Sequence, residues 1–195
     1  LFLTPRNFTS MAFQVPEIAL LALGVMLAML TAGIDLSVVS MSNMAALPTS
    51  CLLVTQVTER DGNVYVWIVI SILVGMFVGV IAGFANGAII AGIGVTPILA
   101  TLATLTLYNG IAVGLRNGQS ITGLPEEFVA IGNSLLFGVP MPMVILLVAA
   151  VGVAIYINRT GLGMQSVLVG ANETAAHYSA IGVKKVLYMT YALSG

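Results

Sequence analysis

Between Asp61 and Arg116 the chain carries no charged side chain, and most of that stretch is Val, Ile, Leu, Ala, Gly, Phe or Met. No water-exposed surface can be built from such a run. A soluble domain carries roughly 25% charged residues, whereas this chain of 195 residues carries 7%, with six Lys and Arg, seven Asp and Glu, and a mean hydropathy of +1.09. Lipid must therefore be the solvent for most of the surface. A bilayer core is crossed by helices of about 20 apolar residues, which satisfy their own backbone polar groups. The fold class read from the sequence is all-α: a polytopic transmembrane helical bundle, part of a longer chain.

The apolar segments run over residues 17–33, 36–57 (interrupted by Pro48), 64–90, 95–115 and 140–158, and a sixth begins near 186. Pro97 suits a first helical turn, where its missing N–H costs nothing. Basic residues in short loops mark the cytoplasmic side. Arg159, Lys184 and Lys185 follow the fifth segment, so residues 159–185 are placed in the cytoplasm. Alternation then puts Glu59–Asp61 and Arg116–Glu127 outside, and a further helix is expected ahead of residue 17.

Several function classes drop out. The net charge of −1 offers no basic field for nucleic acid. His177 is the single histidine and Cys51 the single cysteine, so neither a metal cluster nor an internal disulfide is expected. No glycine-rich GxxxxGK[ST] phosphate loop occurs, and no cofactor is expected in this chain.

Two helices carry patterns beyond their apolarity. Gly75, Gly79, Gly83 and Gly87 recur at four-residue spacing, which draws one stripe of small residues along a helix face where another backbone can pack closely. Thr101, Thr104 and Tyr108, with Asn109 beside them, form a polar seam on the fourth segment. Threonines in such a seam bond back to their own helix carbonyls or face a water-filled path, and the sequence leaves both open.

The stretch TAGIDLSVVS contains Asp35, the one charged residue between Glu17 and Glu59. It resembles the TGGIDLSVGS signature of bacterial ABC-transporter permeases for ribose and related simple sugars. GFANGAIIAGIGVTPILATLATLTLYNGIAVGLRNGQSITGLP and GANETAAHYSAIGVKKVLYMTYALSG resemble that family's later segments in the same order, so the likeness covers the whole chain. Four positions depart from the family pattern. Ala32 stands for the second Gly of TGG, Val39 for the Gly of SVG, His177 for an Arg, and Ala180 for a Gly before Ile.

The resemblance implies the membrane subunit of an ATP-driven importer in the bacterial inner membrane. Its implied partners are a second permease subunit, identical or homologous, cytoplasmic ATP-binding subunits and a periplasmic sugar-binding protein. It implies that residues 170–183 form the segment that meets the ATPase, with Gly170, Asn172, Glu173, Ala175, Ala176, His177, Ile181 and Gly182 as its working residues. The residues themselves read as a short surface helix over 161–183. Asn172 is a capping residue, Glu173 sits in a first turn, Gly182 is a left-handed stop, and Lys184 and Lys185 are anchors to anionic lipid. The external loop RNGQSITGLPEEF is expected to meet the binding protein.

A carboxylate at the bilayer centre costs about 2.5–3.5 kcal/mol, so Asp35 needs an outlet. It can cap a helix starting near Leu36 by accepting the N–H of Ser37 or Val38, with Gly33 as the break. It can line the solute path beside Ser37, or it can couple protons. Two rival functions stay open: an ion-coupled secondary transporter, which needs an intramembrane network of ionisable groups, and a membrane structural or assembly protein without transport.

Overall fold

The computed structural model describes residues 4–58, 63–116, 118–119, 121–136 and 138–195. The charged cluster Glu59–Asp61, and Asn117 and Ser120 of the external loop, lie outside the described residues. Nine α-helices are formed among the described residues, and five contain stretches long and apolar enough to cross a bilayer. They are α1 (Pro5–Met29), α2 (Val38–Leu53), α3 (Val64–Gly87), α4 (Pro97–Arg116) and α6 (Met141–Arg159). A short α5 (Glu126–Asn133) and a two-residue antiparallel hairpin, Leu135–Leu136 with Val139–Pro140, stand between α4 and α6. The chain continues through α7 (Gly161–Ala171), α8 (Glu173–Tyr178) and α9 (Val183–Ser194).

The helix limits differ from the sequence reading in physically informative ways. The first helix ends at Met29 rather than residue 33, because Leu30–Ala32 form a turn closed by the Thr31 and Ala32 N–H groups on the Ala28 and Met29 carbonyls. Gly33 follows this turn instead of making it. The second helix starts at Val38, not 36, and Pro48 does not interrupt it. A π-helical turn over Val54–Thr58 carries it further. The third helix also ends in a π-helical turn, Ala88–Ile93, which extends it past residue 90 to a left-handed Gly94 (φ 86°). There the Gly94 N–H bonds the Ile90 carbonyl and the Val95 N–H the Ile89 carbonyl, so the end is capped. The sixth helix starts at Val183 rather than near 186.

The expected single helix over 161–183 is two helices. Thr160 caps α7, its hydroxyl accepting the Gly163 N–H at 3.0 Å. Asn172 caps α8, its side-chain oxygen accepting the Ala175 N–H at 2.9 Å. Gly182 is not a left-handed stop, since its φ is −74°. Ala180 takes that conformation at φ 58°.

The glycine stripe of α3 serves two neighbours. A Cβ on Gly75 would meet the Thr49 hydroxyl of α2 at 2.5 Å. One on Gly83 would overlap the Tyr191 carbonyl oxygen of α9, and one on Gly87 would meet the Tyr188 Cα at 3.0 Å. A Cβ on Gly79 would overlap the carbonyl oxygen of Gly195. The absence of side chains lets two backbones pack directly, the usual device of helix contacts in lipid. Helix α2 packs on α3 and α4, while α1 packs on α6 and α9.

Ala32 and Ala180 are the two non-glycine residues with positive φ among those described, at 57° and 58°. Both are positions where the resembled signature has glycine. A left-handed alanine carries a penalty of roughly 1–2 kcal/mol, which glycine escapes. Ala32→Gly and Ala180→Gly in the full-length chain should therefore each stabilise it by about 1 kcal/mol, read as a raised thermal unfolding midpoint in detergent.

Candidate functional site

The residues of the break assemble a buried polar knot. Asp35 is 1% exposed and Ser37 fully buried. One carboxylate oxygen of Asp35 accepts both the Ser37 N–H at 2.9 Å and the Ser37 hydroxyl at 2.7 Å. This is a local Asx turn ahead of α2, which begins one residue later. The Ser37 hydroxyl, having donated to Asp35, accepts from the Asn86 side-chain amide of α3 at 2.7 Å, and the same amide reaches the second Asp35 oxygen at 3.5 Å. The Tyr108 hydroxyl donates its one proton to the Ala82 carbonyl at 2.9 Å, with the Asn86 carbonyl oxygen at 3.4 Å as the long arm of the same shared bond. The charge is thus met by a chain of neutral donors from three helical elements, as buried carboxylates require.

The seam on α4 faces this knot. Thr101 and Thr104 are buried and bond the carbonyls of Pro97 and Ala100 on their own helix at 2.9 and 3.1 Å. Thr101 also reaches the Ile34 carbonyl at 3.1 Å, which pins the break to α4. Tyr108 is 5% exposed and held by α3. Asn109 is not part of this arrangement: it is exposed and lines a separate cavity between α2 and α4. Val39 is 55% exposed on the outer face of α2, so its departure from the glycine of the resembled signature meets no packing inside this chain.

Two residues packed around the break were missed in the sequence. Asn86 is an amide one position before Gly87 in an otherwise apolar helix, and that isolation was the available signal. Tyr191 of α9 is fully buried, and its hydroxyl has no hydrogen-bond partner among the described residues. The hydroxyl sits against Gly33, where a Cβ would overlap it. Gly33 is therefore needed for close approach, not for a left-handed turn.

The segment after α6 touches the same break. A Cβ on Gly170 would overlap the Leu30 carbonyl oxygen, so α7 lies backbone to backbone with the turn that ends α1. A cavity of about 480 Å³ opens beside it, between Thr31, Ala32 and Pro97 on one side and Asn172 and Glu173 on the other. Ala176 is buried in a cluster with Val169, Val183 and Val186, against which Ile181 packs. The outward surface of α8 is instead Glu173, Thr174, Ala175, His177 and Tyr178, the last 86% exposed. The end of α3, Glu173, His177 and Lys184 line a further cavity of about 550 Å³.

The family described as branched-chain amino acid transport system / permease component matches residues 7–195. Among curated proteins, the chain is 32% identical over its whole length to the ribose import permease protein of Bacillus subtilis, of which it covers 58%. It is 28% identical over its whole length to the D-allose transport system permease protein of Escherichia coli, covering 57% of it. Over 65% of its length it is 33% identical to the autoinducer 2 import system permease protein of Salmonella paratyphi B, covering 40% of it. The chain thus spans between two fifths and three fifths of the length of these relatives. No solved structure matches it.

If Asp35 acts as an acceptor in the knot and not as a charge carrier, Asp35→Asn retains a folded protein, because the amide oxygen still accepts from Ser37. Asp35→Leu strands the Ser37 N–H and hydroxyl and lowers stability by about 1–3 kcal/mol. Thermal unfolding of both variants in detergent checks this, and equal destabilisation by Asn and Leu would contradict it.

Proposed function

The chain belongs to the branched-chain amino acid transport system / permease component family, and from that premise we propose that it forms part of the membrane-spanning subunit of an ATP-driven importer. The importer carries a monosaccharide or similar small polar solute across the bacterial inner membrane by alternating access. The observation that carries this reading is the end-to-end similarity to permeases named for ribose and allose. ATP is bound and hydrolysed by separate cytoplasmic subunits. A periplasmic binding protein delivers the solute, and a second permease subunit completes the path.

In this reading, α8 is the contact with the ATPase. Its exposed side chains form a compact patch, and its far side is fixed to α7 and α9 by the Val169, Ala176, Val183 and Val186 cluster. A push on α8 therefore moves α7 and α9 with it, because packed cores deform little. Both helices bear on the break: α7 through Gly170 against Leu30, and α9 through Tyr191 against Gly33. The break moves as one piece with α3 and α4 because the Asp35 knot and the Thr101 bond to Ile34 tie them together. Lys184 and Lys185, both exposed at the start of α9, sit where anionic headgroups would hold them. The external segment around α5, with Glu126 and Glu127 in its first turn, is the surface offered to the binding protein.

Two experiments test the proposal. Proteoliposomes holding the full-length chain with its ATPase should take up radiolabelled D-ribose or D-allose only with ATP and the loaded binding protein. Uptake driven by an ion gradient alone would overturn the reading. A cysteine at Tyr178, in a chain with Cys51→Ala, should crosslink to the ATPase subunit, whereas one at the buried Ala176 should not. Absence of the Tyr178 crosslink in an actively transporting complex would remove α8 from the coupling role.

A further inference from the structure

A second polar assembly lies between α2 and α4, apart from the buried knot. Asn43, Asn109, Arg116 and Gln119 line a cavity of about 260 Å³, with Leu47 and Val113 as apolar walls. Asn109, Val113 and Arg116 stand at i, i+4 and i+7 on α4 and so share one face, while Asn43 and Leu47 face them from α2. From Asn109 to Arg116 the helix rises about 10 Å, so the polar groups climb as a ladder towards the end of α4. There Gly118, left-handed at φ 73°, bonds the Val113 carbonyl through its N–H and turns the chain back. The Gln119 N–H then bonds the Arg116 carbonyl, which seats Gln119 at the mouth of the cleft.

These side chains are uncommitted, unlike those of the knot. Asn43, Asn109 and Gln119 are exposed and have no side-chain hydrogen bond among the described residues. The Arg116 Nε is buried, again without an acceptor among the described residues. Lipid cannot solvate amides and a guanidinium on a helix face, so this face has to meet water, a polar ligand or polar groups of protein. The donor set then specifies the ligand. Side-chain amides both donate and accept, as sugar hydroxyls do, and Arg116 only donates, which suits a ring or carbonyl oxygen. Among the described residues no acidic side chain lines the cleft, and Arg116 repels cations. The volume lies just below the roughly 300–1,000 Å³ of drug-sized pockets, the scale of one small solute.

We propose that this cleft is a membrane-depth binding site for a neutral polyhydroxylated solute of monosaccharide size, with Asn43 and Asn109 holding hydroxyls and Arg116 an acceptor oxygen. The inference rests on the importer reading and adds the site where the solute is held. The threonine seam does not serve this role, since its hydroxyls are spent on carbonyls.

The test uses the complete importer with full-length permease in proteoliposomes, supplied with saturating loaded binding protein and radiolabelled D-ribose, D-allose or their monodeoxy analogues. Asn43→Ala and Asn109→Ala should each slow uptake of the parent sugar about 2- to 10-fold. They should also shrink the wild-type penalty for at least one missing hydroxyl, because its partner is already gone. Wild-type uptake by both variants, or an equal slowing of parent and deoxy sugars, overturns the site while leaving the importer reading in place. Failure of the wild-type complex to take up any of these sugars removes ribose and allose as its solutes and overturns the site as a holder of them. A second measurement does not depend on the alanine variants folding. Gln119→Cys, in the Cys51→Ala background, should react with a small polar thiol reagent more slowly during sugar turnover, and unchanged labelling overturns the site.

Discussion

A carboxylate buried among apolar helices has to be solvated by the protein itself, and the organisation of this bundle follows from how Asp35 achieves that. One oxygen takes two donors from Ser37. The serine hydroxyl has a single proton, so once it donates to Asp35 it needs a donor of its own, which Asn86 supplies. The Tyr108 hydroxyl, whose proton goes chiefly to the Ala82 carbonyl of α3, also reaches the Asn86 carbonyl oxygen. Each bond creates the requirement for the next, and together they fix α2, α3 and α4 around one point. Removing any member leaves a buried polar group without a partner, which costs more than the bond contributes.

The glycines act on the other side of the same point. Gly83 and Gly87 let α9 lie against α3, which brings Tyr191 to Gly33. Gly170 lets α7 lie against Leu30. The break over residues 30–37 is therefore clasped by α7 and α9 on one side and knotted to α3 and α4 on the other. A segment with non-helical backbone is tolerated at membrane depth only where protein or water covers it, and here Thr31, Gly33, Asp35 and Ser37 are buried by protein while Ala32 borders a cavity. The polar groups of α4 divide accordingly. Those facing the knot are spent on structure, while Asn109 and Arg116, one face away, line the α2–α4 cleft without a side-chain partner among the described residues.

Much of this was legible in the sequence because lipid leaves few options. The scarcity of charge and the length of the apolar runs determined an all-helical membrane bundle and the approximate place of each span. The spacing of Gly75, Gly79, Gly83 and Gly87 determined a close-packing face, and Asn172 announced a helix start. The resemblance around TAGIDLSVVS pointed to the family, which the match over residues 7–195 establishes. All of these are local or periodic signals, written within one helix or one turn.

Other features depended on which helix lies beside which, and periodicity carries no such information. The sequence named the Ser37 N–H as a donor to Asp35, and that bond forms; Asn86, which completes the knot through the Ser37 hydroxyl, lies far along the chain and arrived only when α3 packed on α2. Gly33 looked like a turn residue and is instead a clearance for Tyr191. Ala176 looked like surface and is core, because Val169, Val183 and Val186 close over it. The seam and Asn109 are contiguous in sequence, yet the 100° step between adjacent helical residues turns Tyr108 into the knot and Asn109 out towards Asn43. Composition and pattern decided that the chain lives in a membrane as helices. Tertiary packing alone decided which polar groups are spent holding it together and which remain available, because that depends on the neighbour each face meets.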